Sequence, residues 1–157
     1  MSASAREPLR DEDYERLLAF RTELRDFLRW SEQTAHGAGL TPSLHQLLLA
    51  VRGHPVKCPP SIADVAQQLH MRHHSAVELS QRAEAGGLLE RNRDPLDSRL
   101  MHLELTELGL SQLEALTREH LTRIQALARA LGDVTGGRPD TGAHDSGRAR
   151  PGSPGPA

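Results

Sequence analysis

The stretch from Ser61 to Thr106 reads SIADVAQQLHMRHHSAVELSQRAEAGGLLERNRDPLDSRLMHLELT and determines the fold of this chain. Ser61 has a side chain that caps helices, and Asp64, three residues on, gives the spacing of a capping box. Apolar residues then recur at helical spacing, which predicts a first helix over 61–70. A short turn separates it from a second predicted helix over 73–85, which a pair of glycines ends. Two helices joined in this way are typical of a motif that places its second helix in the DNA major groove.

Two short strands are predicted directly after the second helix, over 88–92 and 100–105. In the second strand, Met101, Leu103 and Leu105 alternate with polar residues, as expected when one face is buried. The segment between the strands is too long for a two-residue turn, so we expect a flexible, projecting loop with charges at its tip. A helix-turn-helix followed by such a hairpin is a winged helix. The predicted fold class is therefore mainly α with a small β-hairpin wing.

The most specific motif is a pair of patterns in the wing and just after it, Asp-x-Arg and Leu-Thr-x-x-Gly. These patterns occupy Asp97, Arg99, Leu105, Thr106 and Gly109. With the segments GLTPSLHQLLLA, IADVAQQLHMRHHSAV and EAGGLLER, they make residues 40–109 similar to the MarR family of bacterial transcriptional regulators. The resemblance implies a winged helix-turn-helix that binds DNA as a two-fold dimer.

Long amphipathic helices are predicted on both sides of this region, over 11–36 and from Thr106, as cap, to residue 131. The first would be about 39 Å long at 1.5 Å per residue, and neither helix is expected to bury its apolar stripe within one protomer. A further helix, opened by Thr41 and Pro42, is expected to be a core scaffold. The resemblance implies that the first and last helices of two subunits interleave, as N- and C-terminal dimerisation helices of a homodimer.

The 157 residues suit one domain with loose ends. We expect a flexible N-terminus over 1–10 and a winged-helix domain with its dimerisation helices over 11–131. The DNA-binding head would occupy 41–105. Residues 132–157 are rich in Gly and Pro and nearly free of large apolar side chains, which predicts a disordered tail.

Charge and composition narrow the possible functions. A net charge of −2 gives no overall attraction to nucleic acid, so the case for DNA binding depends on the motif geometry. Cys58, the one cysteine, excludes an internal disulfide and is typical of a reduced, cytoplasmic protein. We expect it to be inert rather than redox-active.

No apolar run approaches the roughly 20 residues of a membrane span. The sequence has no catalytic or phosphate-binding motif, and its nine histidines lack metal-ligand spacing, so we expect no enzyme, cofactor or metal.

Candidate DNA contacts lie on the outward face of the second predicted helix and in the wing. Glu78 repels phosphates, so it either accepts a hydrogen bond from cytosine or pairs with Arg82, one turn on. The resemblance implies that Arg99 enters the minor groove while Asp97 orients it. The plainer alternatives are a solvated helix face and a surface ion pair that contributes little to stability. The candidates are Arg72, His73, His74, Ser75, Val77, Glu78, Gln81, Arg82, Arg93, Asp97 and Arg99.

The resemblance also implies a pocket between the dimer helices and the head for a small lipophilic or phenolic effector. Its candidate lining residues are Phe27, Trp30, His36 and His45, for which core packing is the plainer explanation. Two functions remain open. The first is a homodimeric DNA-binding transcriptional regulator, expected to be a repressor on a pseudo-palindromic operator. The second is a winged-helix module that binds protein and not DNA.

Overall fold

A computed structural model describes residues 8–55 and 58–135 of the chain. Within these residues there are five helices and one two-stranded sheet. In chain order they are α1 (Asp11–Gly37), α2 (Pro42–Arg52), α3 (Ile62–Gln68), α4 (His73–Ala85), β1 (Leu89–Arg93), β2 (Met101–Leu105) and α5 (Glu107–Thr135). The mainly α fold class with a hairpin wing is confirmed. The flexible N-terminus predicted for 1–10 lies mostly outside the described residues, and so does nearly all of the predicted tail.

Side-chain caps explain where α2 and α3 begin. The Thr41 hydroxyl accepts a hydrogen bond from the amide of Leu44 at 3.2 Å, and Pro42 occupies the first turn. At α3 the Ser61 hydroxyl accepts from the Asp64 amide at 3.2 Å, and the Asp64 carboxylate accepts from the Ser61 amide at 2.8 Å. The predicted capping box is therefore present.

α3, the first helix of the helix-turn-helix, ends two residues earlier than predicted. It ends at Gln68 rather than at residue 70, because His70 has a φ of 52° in the left-handed region. The amide of Met71 then donates to the carbonyl of Ala66 at 2.9 Å, which closes the turn before α4.

The core lies where α2, α3 and α4 meet the hairpin and the start of α5. Its fully buried side chains are contributed by all of these elements, so the head packs around one apolar cluster. The largest of them are Leu47, Leu48, Leu79, Leu89, Leu103, Leu116 and Val65.

The wing is an antiparallel pair with Leu89 opposite Leu105 and Arg93 opposite Met101. The segment before α3 adds to its edge, because the amide of Leu103 donates to the Pro60 carbonyl at 2.9 Å. Leu103 is buried, as the alternation predicts. His102 does not follow the simple alternation, since it is half-buried and hydrogen-bonded on both sides of its ring.

The Leu-Thr-x-x-Gly pattern forms the junction between the wing and α5. The Thr106 hydroxyl accepts from the amide of Gly109 at 3.1 Å and donates to the carbonyl of Gly87 at 2.6 Å. A Cβ atom on Gly109 would overlap the Leu88 carbonyl oxygen, so α5 reaches this close approach only with glycine there. α5 continues to Thr135, four residues past its predicted end, and so includes the start of the predicted tail.

The two long helices contact each other within one chain, which corrects part of the expectation from sequence. α1 packs against α5, and the rings of Phe27 and Trp30 lie 6.2 and 4.8 Å from that of His120 between ring centroids. An apolar stripe nevertheless stays exposed on both helices. It consists of Leu17, Leu18, Leu24 and Leu28 on α1 and Leu121 and Ile124 on α5. Among the helices of the described residues, none is long and apolar enough to cross a membrane.

Candidate nucleic-acid interface and cavity

α4 has one face in the core and the other in solvent. Its buried residues are Ala76, Leu79, Ser80 and Ala83. Ser80 is fully buried, and its hydroxyl donates to the Val77 carbonyl at 2.8 Å, so this small polar residue is satisfied within the helix. Most of the predicted contact residues lie on the solvent face, namely Arg72, His73, His74, Glu78, Gln81 and Arg82, with Ser75 half-buried beside them.

Two details of α4 differ from expectation. Val77 is half-buried and packs against the core, so it offers less surface than a fully outward residue. Among the described residues, no ion pair joins Glu78 to Arg82, so this explanation for the acidic residue is not supported. Another acid, Glu84, lies 3.6 Å from Arg91 and joins the end of α4 to β1.

The wing tip, expected to be a flexible projecting loop, contains a series of hydrogen-bonded turns. One carboxylate oxygen of Asp94 accepts from the amides of Leu96 and Asp97 at 2.7 and 2.8 Å. The Asp97 carboxylate in turn accepts from the amide of Arg99 at 3.0 Å. Short polar side chains that bond to the backbone ahead of them give such turns a defined shape.

Arg99 is held in position by Asp97 on the outer surface of the wing. Two guanidinium nitrogens donate to the two carboxylate oxygens, Nε to Oδ1 at 3.0 Å and Nη2 to Oδ2 at 3.1 Å. The bidentate pair raises the pKa of Arg99 and lowers the pKa of Asp97. The Arg99 side chain is 88% exposed, so its charge is presented to solvent in a fixed direction. Arg93 is exposed at the end of β1.

His102 joins the wing tip to the segment before α3. Its Nε2 lies 2.9 Å from an Asp94 carboxylate oxygen, and its Nδ1 lies 2.8 Å from the Pro59 carbonyl oxygen. The hydrogen bond to Asp94 is the largest cause of a raised pKa of His102. Sequence reasoning did not select this residue. The available signal was a histidine on a short predicted strand, between the apolar residues Met101 and Leu103.

A cavity of about 600 Å³ lies between α1, α2 and α5. Its apolar walls include Leu28, Leu49, Leu121 and Ile124, and its polar groups include Ser31, His45 and His120. Of the predicted lining residues, Phe27 and His45 line it. Trp30 is not among the lining residues and packs against His120 with the two rings tilted, while His36 is exposed at the end of α1.

His120 is the central polar residue of this cavity and was not predicted. Its Nδ1 lies 2.7 Å from the Leu116 carbonyl oxygen, and its Nε2 lies 2.7 Å from the Ser31 hydroxyl. His45 is buried 4.8 Å from it between ring centroids. Burial, and then the neighbouring His120, lower the pKa of His45, so the His45 ring is neutral at neutral pH.

Cys58 is exposed and forms no disulfide. That its thiol is chemically inert stays a prediction. Within residues 8–55 and 58–135, no three His, Cys, Asp or Glu side chains are grouped so that they could hold a metal ion.

A helix-turn-helix head with a hairpin wing and two long flanking helices defines this molecule as a winged-helix protein. The sequence profile of the MarR family, a family of transcription regulators, matches residues 38–100. The resemblance inferred from the wing motifs is confirmed, and this segment is a winged-helix domain of the MarR family. No curated protein sequence matches the chain.

Solved structures of low sequence identity share this fold. MepR of S. aureus, in a complex with DNA, has a TM-score of 0.61 and 22% identity, covering 70% of this chain and 80% of that one. YusO of Bacillus subtilis has a TM-score of 0.60 and 17% identity, covering 81% and 86%. A further MarR family transcription regulator has a TM-score of 0.65 and 20% identity, covering 76% and 77%.

Proposed function

We propose that this protein is a transcriptional regulator that binds double-stranded DNA as a homodimer. The observation that carries the proposal is Arg99, a solvent-exposed guanidinium that Asp97 orients through two hydrogen bonds at the tip of a wing. A fixed, outward arginine on a narrow loop suits the minor groove, where A/T-rich DNA has an enhanced negative potential. The fold shared with MepR, which was solved in a complex with DNA, supports the same proposal.

In this proposal α4 enters the major groove. His73, His74, Ser75 and Gln81 would lie towards base edges, and the Glu78 carboxylate would accept from a cytosine amino group. Because Val77 is half-buried, only part of its side chain is available for a thymine methyl group. Arg72, Arg82 and Arg93 are exposed around these residues and would contact phosphates.

The exposed stripe on α1 and α5 supports the dimer. Large apolar side chains of Leu17, Leu24, Leu28 and Ile124 are 41–58% exposed in one protomer, which is costly unless a second copy covers them. A two-fold dimer would present two α4 helices to half-sites about 34–36 Å apart on a pseudo-palindromic operator. We propose that the dimer acts as a repressor when it occupies such an operator.

The cavity supports a small-molecule effector. Its mainly apolar lining with a few convergent polar groups is typical of ligand sites, and suits a lipophilic or phenolic compound whose hydroxyl reaches Ser31 or His120. Trp30, the single tryptophan, lies beside His120 and would report occupancy through its fluorescence. Titration with a lipophilic phenol should change that fluorescence in the native protein and leave it unchanged in Ser31→Leu, which fills the cavity. Equal responses would exclude this cavity as the site.

The direct test is Arg99→Ala on duplex DNA selected by the native protein from a random pool. At fixed salt, we expect the variant to lose on the order of tenfold in affinity, since a well-placed groove contact contributes about 1–3 kcal/mol. Arg129→Ala is the matched control, because it removes the same charge from an exposed position near the far end of α5. Equal affinity of the two variants would remove the wing from the mechanism.

The near-neutral charge of the head favours one competing function, a winged-helix module that binds protein. Binding to random duplex DNA over a range of salt concentrations distinguishes the two. Phosphate contacts release counterions, so a DNA-binding head weakens steeply as salt rises. Absence of binding at low salt, or a flat response to salt, would favour the protein-binding module.

A further inference from the structure

Both ring nitrogens of His102 face hydrogen-bond acceptors. Nε2 lies 2.9 Å from a carboxylate oxygen of Asp94, and Nδ1 lies 2.8 Å from the Pro59 carbonyl oxygen. A neutral imidazole has one N–H group, so it can satisfy only one of these contacts, and the other becomes a repulsion between two acceptors. The doubly protonated imidazolium donates to both. The geometry around His102 is therefore that of a charged ring.

A continuous series of hydrogen bonds runs from His102 to Arg99. Asp94 uses its other oxygen to accept from the amides of Leu96 and Asp97, which shapes the turn at the wing tip. Asp97 then holds the amide and the guanidinium of Arg99. At the opposite end, Pro59 belongs to the segment that adds to the edge of β2 just before α3. His102 thus connects the direction of the wing arginine to the body of the head.

We propose that His102 is a positioning residue for Arg99: its doubly bonded imidazolium fixes the wing tip against the head, so DNA affinity falls when the ring loses its proton. This inference rests on the proposed DNA-binding function and adds to it a dependence on pH. The proposed regulation by pH acts through the wing, and neither through α4 nor through the cavity.

The charged groups that act on the His102 ring all favour its protonated form. Asp94 from the wing loop and Asp64 at the start of α3 both favour the imidazolium, and His54, from the loop after α2, acts on Asp64 rather than on the ring. Asn92, opposite on β1, is uncharged. Asp94 and Asp64 are the titratable groups that act on His102 among the described residues. The hydrogen bond to Asp94 raises the pKa of His102, against the opposing effect of burial. While Asp94, whose pKa is lowered, stays ionised, wing order is full below the ordinary histidine pKa of about 6.5. It is lost as pH rises through the raised pKa of His102.

The first experiment needs no DNA. NMR spectra of the full chain, recorded over a pH series, follow the ring nitrogens of His102 and the amides of Leu96, Asp97 and Arg99. We expect both ring nitrogens to carry protons at low pH, and the three amides to shift with the same midpoint as the ring. In Asp94→Asn that midpoint should fall, and the coupling between ring and amides should weaken. Amides that stay constant while the ring titrates would overturn the proposal.

The second experiment measures affinity for the selected duplex at constant ionic strength over the same pH range. The native protein should weaken several-fold as His102 deprotonates, while His102→Gln should change less over this pH range and bind weakly throughout. His70→Asn is the matched control, because it removes an exposed histidine from the same head and asparagine tolerates the positive φ there. It should keep the native pH profile. A flat native profile, or equal flattening in the control, would overturn the proposal.

A double variant separates positioning from a direct contact with DNA. If His102 acts through Arg99, adding His102→Gln to Arg99→Ala should cause no further loss of affinity. Additive losses would overturn the proposed route. If the native protein binds no duplex at any pH, the proposed function fails, and the NMR series still decides whether His102 orders the wing.

Discussion

Gly109 illustrates how a single residue couples two elements. It lies in the first turn of α5, where its backbone approaches the carbonyl of Leu88 so closely that a Cβ atom has no room. Thr106, three residues earlier, satisfies the Gly109 amide. Packing therefore explains why the Leu-Thr-x-x-Gly pattern ends in glycine. Only with glycine at this position can α5 start as close to Leu88 as it does.

Gly109→Ala should destabilise the protein by about 1–3 kcal/mol, the usual cost of forcing an extra carbon into packed structure. Chemical denaturation measures this free energy of unfolding. Gly37→Ala is the control, because a Cβ atom at that helical position meets nothing within 4 Å. The control should be neutral or slightly stabilising. Similar losses in both variants would show that the contact with Leu88 is not the cause.

At the scale of elements, α3 depends on its cap because it is only 7 residues long. Ser61 is buried and exchanges hydrogen bonds with Asp64, so both the first turn of α3 and the edge of the sheet are tied to this pair. Removal of the hydroxyl leaves the amide of Asp64 without its partner.

Ser61→Ala should cost about 1 kcal/mol of stability, the typical value for a lost N-cap. Ser111→Ala, at an exposed position within α5, is the matched control and should be neutral. Thermal and chemical denaturation of both variants test the difference. A loss in Ser111→Ala as large as that in Ser61→Ala would show that the cap is not responsible.

Asp64 also predicts a dependence of stability on pH. Hydrogen bonds from the Ser61 side chain and backbone lower the pKa of Asp64 below its ordinary value. The folded state therefore favours the ionised carboxylate, and this contribution is present above the ordinary pKa and lost as pH falls through the lowered one. Asp64→Asn should show a shallower loss of stability with acid than the native protein. Parallel acid profiles would contradict this assignment.

At the scale of the whole molecule, one protomer leaves an apolar stripe on α1 and α5 exposed. α1 and α5 contact each other through Phe27, Trp30 and His120, yet the leucines on the neighbouring faces remain in solvent. The cavity lies beside the same helices. The stripe and the cavity share three side chains of these helices, Leu28, Leu121 and Ile124.

Leu17→Glu should convert the proposed dimer into a monomer, because it places a charge in the apolar stripe. Analytical ultracentrifugation at micromolar concentration measures the change. Leu96→Glu is the control, since that leucine is 97% exposed at the wing tip, away from both long helices. It should remain dimeric. A native protein that is already a monomer under these conditions would refute the homodimer.

The amino-acid sequence by itself determined the local structure and the resemblance of the head to the MarR family. Capping residues, helical spacing and glycine stops are short-range signals, so the bounds of α1 and α4, the start of α2 and the Thr106 cap were predicted closely. The pairing of Asp97 with Arg99 was expected from the family resemblance, and it too is a local contact between residues two positions apart. The end of α3 was not, since it depends on the left-handed backbone of His70.

The tertiary structure alone decided the contacts between distant residues. His102 meets the Pro59 carbonyl across 43 positions, and His120 meets Ser31 across 89. The half-burial of Val77 and the close approach of Gly109 to Leu88 likewise arise only when helices and wing pack together. The spacing of apolar residues predicts which face of a helix or strand is buried, but tertiary packing decides which polar group contacts a given side chain. For that reason the arginine at the wing tip was predicted, and the histidine that connects it to the head was found only in the folded molecule.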